Sequence, residues 1–94
     1  MADVQVVKTA NALIVTGAGF LTGLVVTLTS GTSGTVTFYD NTSASGTVIF
    51  QAEVYSLHDG LIIFFSDRYA PRFATGLYIA LDSNMCANVW AVGR

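Results

Sequence analysis

Charge is what this chain has least of. Of its 94 residues only four are basic and six acidic, 11% in all, where about 25% is usual for a soluble domain. The four cations, Lys8, Arg68, Arg72 and Arg94, form no run, and a phosphate backbone is gripped by a clustered basic face. Nucleic acid is therefore excluded as the expected partner. Cys86 is the one cysteine and cannot make an internal disulfide. With no base or positive field beside it to generate a thiolate, it reads as a small buried hydrophobe. The one histidine, His58, cannot build a histidine-rich zinc site. Beside Asp59 and Gly60 it reads as a solvent-facing turn residue rather than half of a catalytic pair, which would need a nucleophile as well. Long apolar runs are missing too. Leu61-Ile62-Ile63-Phe64-Phe65 is the longest, far short of the roughly 18 residues a membrane-spanning helix needs, so no membrane insertion is expected. Met1-Ala2-Asp3 is followed by Val-Gln-Val and offers neither a basic n-region nor an apolar h-region, so no secretion leader is expected.

Other chemistry-bearing patterns are equally thin. Gly17-Ala18-Gly19 follows an apolar run, but Thr22 stands where a dinucleotide fingerprint needs its third glycine, and no helix follows to hold a pyrophosphate. Asn41-Thr42-Ser43 matches a glycosylation acceptor and reads, without a leader, as a polar turn. Glu53, Asp59, Asp67 and Asp82 fall on different strands and turns, which suits neither a pair of catalytic carboxylates nor a calcium loop. The expectation is a protein that is not an enzyme, with no catalytic residues, no metal and no cofactor.

What the chain does have is apolar side chains, 52% of the total against about 45–50% in ordinary domains. Ninety-four residues make one domain, 1–94, with 1–3 as a short flexible N-terminus, since either half would be too small to bury a core. A monomer of this mass exposes roughly 5,200 Å², and ten charged side chains cover that poorly. Either Ser and Thr hydroxyls solvate the surface, or part of it is hidden against another chain. The crowding of Phe64, Phe65, Tyr69, Phe73, Tyr78 and Trp90 into the last third favours a homo-oligomer.

The apolar residues alternate. Val36 to Phe50 holds two β-branched runs around the polar turn Asp40 to Gly46, a hairpin or meander pattern. Val4 to Thr9, Ala12 to Thr16, Phe20 to Thr29, Leu77 to Leu81 and Cys86 to Val92 read as further strands, with Gly23 marking a bulge or bend. In Thr47 to Tyr55 one face is expected to carry Val48, Phe50, Ala52 and Val54. Leu61 to Phe65 does not alternate and reads as a strand covered on both sides, by its own core or by a partner. Seven or eight short strands with turns every 8–12 residues predict a compact all-β, antiparallel sandwich or small barrel, and no connection has room for an amphipathic helix.

One constellation stands out as a candidate contact surface: Phe64 and Phe65, then Asp67, Arg68, Tyr69, Arg72 and Phe73. Guanidiniums and aromatic anchors are the residue types enriched in protein interfaces. The bland alternative is a crossover loop whose arginines are solvated and whose aromatics cap the core.

Two stretches resemble those of small bacteriophage virion proteins of the jelly-roll or related β-sandwich kind. They are Gly34-Thr35-Val36-Thr37-Phe38-Tyr39-Asp40-Asn41-Thr42-Ser43-Ala44-Ser45-Gly46-Thr47-Val48-Ile49-Phe50 and Phe73-Ala74-Thr75-Gly76-Leu77-Tyr78-Ile79. In such proteins the first is a strand, a turn and a strand, and the second is the entrance to a late strand. The resemblance spans about Leu21 to Val92. It implies a jelly-roll-like sandwich that serves as a capsid decoration or cement protein on the outer surface of the virion. Such a protein forms trimers or other symmetric clusters and touches the major capsid protein or other virion proteins. Alternatively it implies a head or tail appendage subunit that binds a host-surface glycan, with Tyr39, Tyr55 and Tyr78 as candidate aromatics. No catalytic residue is implied, and the aromatic Leu61 to Phe73 segment departs from plainer members, which carry a polar hairpin there.

Overall fold

The computed structural model describes residues 2–55, 60–66 and 68–93. Nine strands run through them: β1 (Ala2–Lys8), β2 (Ala12–Thr16), β3 (Gly19–Leu28), β4 (Gly34–Asp40), β5 (Thr47–Val54), β6 (Leu61–Phe64), β7 (Arg72–Phe73), β8 (Gly76–Leu81) and β9 (Met85–Gly93). They build two antiparallel sheets. Sheet A has the order β1-β9-β3-β6, with the two-residue β7 also on β3, and sheet B has the order β2-β8-β4-β5. The all-β antiparallel fold expected from the alternation, which left sandwich and small barrel open, is found as a two-sheet, sandwich-like arrangement, with nine strands in place of the seven or eight expected. Ala2 and Asp3, expected in a flexible terminus, are the first residues of β1 and pair with Gly93 and Val92.

The inward residues of the two sheets make one core. Leu21, Leu24, Val26, Val36, Phe38, Leu77, Ile79, Ala87 and Val89 are completely buried in it, and they follow the two-residue period along each strand. Leu77, Ile79 and Leu81 share the inward face of β8 as their spacing predicts. Phe38 packs on Phe50 at 6.2 Å, and Phe50 meets the edge of Phe65 at 5.7 Å and 79°. The aromatic line thus carries the core from the middle of sheet B to the rim of sheet A.

Three bulges depart from strict alternation, and each changes which side a residue faces. Between Leu21 and Gly23 the register on β9 shifts by one, at the glycine that marks a bulge in the sequence. A second shift falls between Leu13 and Val15 on β8. The third corrects an expectation. Phe38 pairs with Phe50 but Tyr39 pairs with Val48, which leaves Ile49 as the extra residue. Ile49 packs against the core and Val48 turns out to solvent, so Val48 does not share the face of Phe50, Ala52 and Val54. A period of two cannot foresee where a strand adds a residue.

Only one pair of consecutive strands is hydrogen-bonded among the described residues, the β4–β5 hairpin. Ser30 to Ser33, short enough for a hairpin turn, instead carries the chain from sheet A to sheet B. Gly31 takes a positive φ of 73° there, and the Asn84 amide donates to the carbonyls of Ser30 and Ser33 at 2.9 and 3.0 Å. That amide ties this crossing to the β8–β9 turn on the same end of the sandwich.

Leu24 and Phe38 touch the core from opposite sheets, so truncating either leaves a cavity that neither sheet can close alone. Leu24→Ala is expected to lower the unfolding free energy by about 2–5 kcal/mol and Phe38→Ala by about 3–5 kcal/mol. Urea unfolding followed by far-UV circular dichroism reads both, and a loss under about 1 kcal/mol would contradict this packing.

Candidate functional site

Sheet A has a largely apolar outer face. Cross-strand register places its outward residues in rows running from β1 through β9 and β3 to the β6/β7 edge. One row is Asp3, Val92, Phe20 and Arg72; the next is Gln5, Trp90, Gly23 and Phe64; the third is Val7, Asn88, Val25 and Ile62. Ile62 is 66% exposed, Phe64 64% and Val7 59%. Asp3 and Arg72, at opposite ends of one row, are the only charges in the three rows.

The local geometry on this face has a physical cause at Gly23. A Cβ there would lie 2.4 Å from Phe64 Cδ1, so the missing side chain is what lets the Phe64 ring lie across β3. The ring reaches Trp90 on β9 at 5.4 Å, with the planes 49° apart. An aromatic laid over a cross-strand glycine covers backbone that a bare glycine would expose. In the neighbouring row the Arg72 guanidinium sits 5.1 Å above the Phe20 ring, a cation–π contact worth about 0.5–1 kcal/mol at such an exposed site.

The residues singled out in the sequence divide between this face and the core. Phe64 is outward, and Arg72 borders the face. Arg68 and Tyr69 are exposed in the turn that follows β6, Tyr69 at 74%. Phe65 is half-buried and faces Phe50, its N–H donating to the Thr22 carbonyl at 2.9 Å. Phe73 is only 3% exposed and belongs to the core, so its ring is not part of any surface on this subunit. Asp67 lies outside the described residues, as do His58 and Asp59. The Leu61 to Phe65 run, read as covered on both sides, alternates in the subunit: Leu61, Ile63 and Phe65 turn inward, while Ile62 and Phe64 face solvent. Sequence reasoning overlooked Val7, Phe20, Val25 and Val92 as members of this face. Each is unremarkable within its own strand, and only cross-strand register gathers them.

The outer face of sheet B is different in kind. Its register rows are Leu13, Tyr78, Tyr39 and Val48, and then Ala80, Thr37 and Gln51. Tyr39 and Tyr78, two of the three candidate aromatics, are direct cross-strand neighbours. Thr37 is nearly buried although it faces outward, because Gln51 lies over it and donates to its hydroxyl at 3.0 Å. Tyr55 is exposed beyond the end of β5.

One carboxylate has a fixed structural task. Asp40, at the end of β4, accepts through Oδ1 from the backbone N–H groups of Ala74, Thr75 and Gly76 at 3.0, 2.8 and 3.4 Å. Gly76 must be bare, since a Cβ would come 2.9 Å from the Val15 carbonyl oxygen and 3.0 Å from that of Asn41. The two stretches that carry the phage resemblance therefore meet in space: the aspartate of one clamps the Ala-Thr-Gly of the other. Among the described residues there is no pocket, and no group of three acidic, histidine or cysteine side chains could share a metal ion. Cys86 is half-buried on the outer face of sheet A opposite Thr27.

No protein-family model, curated protein or solved structure matches the chain.

Donated N–H groups, led by those of Thr75 and then Ala74, hold the Asp40 carboxyl below its ordinary value of 3.8. A lowered folded value means that the contribution of Asp40 is fully present above about pH 4 and is lost as pH falls through the folded value. Asp40→Ala is expected to be less stable than the native chain at pH 7, with the gap narrowing steadily below pH 4. Urea midpoints measured from pH 2 to 7 check this; a gap that stays constant in acid would remove the charge from the clamp. At Gly23, a valine should push the Phe64 ring off Trp90. Gly23→Val is expected to alter the emission of the single tryptophan while Leu24 and the core keep the chain folded, and an unchanged spectrum would contradict the stacking.

Proposed function

We propose that this chain is a non-enzymatic structural component of a bacteriophage particle, a capsid decoration or cement protein on the outer surface of the virion. It assembles as a symmetric oligomer and stabilises the shell through apolar contacts. The observation that carries this reading is the outer face of sheet A, where exposed Ile62, Phe64 and Val7 flank Trp90, Val25 and Phe20 with charge only at two ends of one row. A contiguous apolar patch on a soluble domain marks a surface that meets another macromolecule.

The finer fold supports the same reading. We take the sandwich to be a jelly roll. Its ladders are nested, β4 with β5, β3 with β6, β2 with β8 and β1 with β9, as in a long antiparallel ribbon rolled over on itself, with β7 an addition between β6 and β8. Viral capsid domains use this architecture, and so do lectins. Fold alone does not assign a role, so the apolar face bears the weight. Many copies on a symmetric lattice multiply a weak contact through effective concentration, which lets a small domain reinforce shell seams without covalent chemistry.

A second reading rests on the other side of the molecule. Tyr39 beside Tyr78, flanked by Leu13 and Val48 and followed by Gln51, forms an aromatic strip with an amide near it. Such a strip would suit a head or tail appendage subunit that stacks on a host-surface glycan.

The two readings use opposite faces, and mutation separates them. Purified protein is mixed with empty phage heads and, separately, with intact host cells, and each mixture is sedimented. The cement reading expects co-sedimentation with heads, reduced at least tenfold by Phe64→Asp and unaffected by Tyr39→Ala. Binding to cells alone, lost in Tyr39→Ala, would replace it with the appendage reading.

A further inference from the structure

The rows on the outer face of sheet A have a property that identifies what covers them. Reversing each row end for end gives six facing pairs, of which four match in charge or apolar character, while Gln5 falls opposite Phe64 and Asn88 opposite Val25. Asp3 falls opposite Arg72, Val92 opposite Phe20, and Val7 opposite Ile62. Trp90 falls opposite Gly23, over which the Phe64 ring already lies. Reversal is what a two-fold axis does when it lies in the plane of the face, parallel to the strands and midway between β9 and β3.

We infer that this face packs against the same face of a second copy, giving a two-fold, face-to-face dimer. The clause of the proposed function that it rests on is symmetric self-assembly; it does not require a shell. Isologous contacts of this kind join a surface to itself, so the surface must be self-complementary. The size is right as well. The domain measures 36 × 25 × 19 Å, so the broad face of the sandwich lies within 36 × 25 Å, on the order of the roughly 800 Å² per partner that a standard interface buries. With the axis parallel to the strands, the facing sheets run nearly aligned, which is one of the two ways in which sheets pack face to face.

Charge sets the register. A face of valine, isoleucine and aromatic rings could slide against its copy at little cost, because apolar contact is not directional. Asp3 meeting Arg72 of the partner subunit occurs twice, once at each side of the dimer. Both pairs are lost together if one copy shifts along the strands or turns by a right angle. The Arg72 guanidinium is held against Phe20, at the level of the face. Two copies make the closed unit here, rather than three, among the trimers or other symmetric clusters that the phage resemblance implies.

Sedimentation equilibrium of the whole chain, with Trp90 emission followed on dilution, tests the assignment. The expected species has twice the 9.9 kDa chain mass, and the tryptophan emission shifts to longer wavelength as the dimer dissociates. Val25→Lys, at the middle of the face, should weaken the dimer at least a hundredfold. Asp3→Arg and Arg72→Asp should each weaken it about tenfold by setting like charges together, and the double exchange should return to within about threefold of the native value. Should Val25→Lys fail to fold, the exchange series still decides. A monomer at all concentrations, a trimer, or a double variant no tighter than either single would overturn the inference. A monomer that binds phage heads and loses them in Val25→Lys would assign this face to the shell protein. A native dimer that ignores heads would leave this inference standing and remove the cement reading.

Discussion

The structure depends on the position of β9. It is the last of the nine strands, yet it lies at the centre of sheet A, bonded to β1 on one side and to nine residues of β3 on the other. Without it sheet A has no centre: β1 touches no other strand of its sheet, and the core loses the inward side chains of Met85, Ala87, Val89 and Ala91, all buried. The same constraint recurs inward through the nested ladders. Each pair closes around the one before it, so the domain holds together as a set of non-local contacts rather than as a string of hairpins. Contacts of this kind give slow, cooperative folding.

Against that frame the two clamps at the strand ends acquire their purpose. Asp40 fastens the loop before β8 to the end of β4, and Asp82 returns the favour at the opposite end of the same pair, its carboxylate accepting from the Thr35 N–H at 3.0 Å. Asn11 accepts from the Leu81 N–H at 3.0 Å. These polar residues sit where the ladder of sheet B stops and unpaired backbone groups begin. In a chain so poor in charge, Asp40, Asp82 and Asn11 are spent on backbone ends, and the three rows on the outer face of sheet A hold a single carboxylate, that of Asp3.

Alternation along single strands was legible in the sequence to within a residue or two at most strands, because burial on one face imposes a period of two whatever the neighbours are. The β4–β5 hairpin was equally plain, since its turn and both ladders lie in one continuous stretch. Pairing between distant strands was not legible. Nothing local says that β9 separates β1 from β3, and the Ser30 to Ser33 turn has the length of a hairpin while joining two sheets. The bulge at Ile49 reversed Val48 for the same reason: it answers to Phe38 and Tyr39 across the ladder. The candidate surface suffered in proportion. Phe64, Tyr69 and Arg72 reach solvent as their types suggest, but Phe73 is taken by the core, and Val7, Phe20, Val25 and Val92 join Phe64 only through register. Composition had already signalled the excess: the chain carries more apolar side chains than one small sandwich encloses.

The central place of β9 also orders events in time. Translation delivers β1 and β3 long before the strand that must lie between them, so during synthesis both present unsatisfied backbone edges and oily flanks to whatever is near. Until that insertion occurs, the cell holds a polypeptide whose most adhesive surfaces are uncovered on both sides of an empty slot. Products that stop before β9 would be natural clients for chaperones and natural seeds for clumping, whereas the arrival of β9 seals the gap.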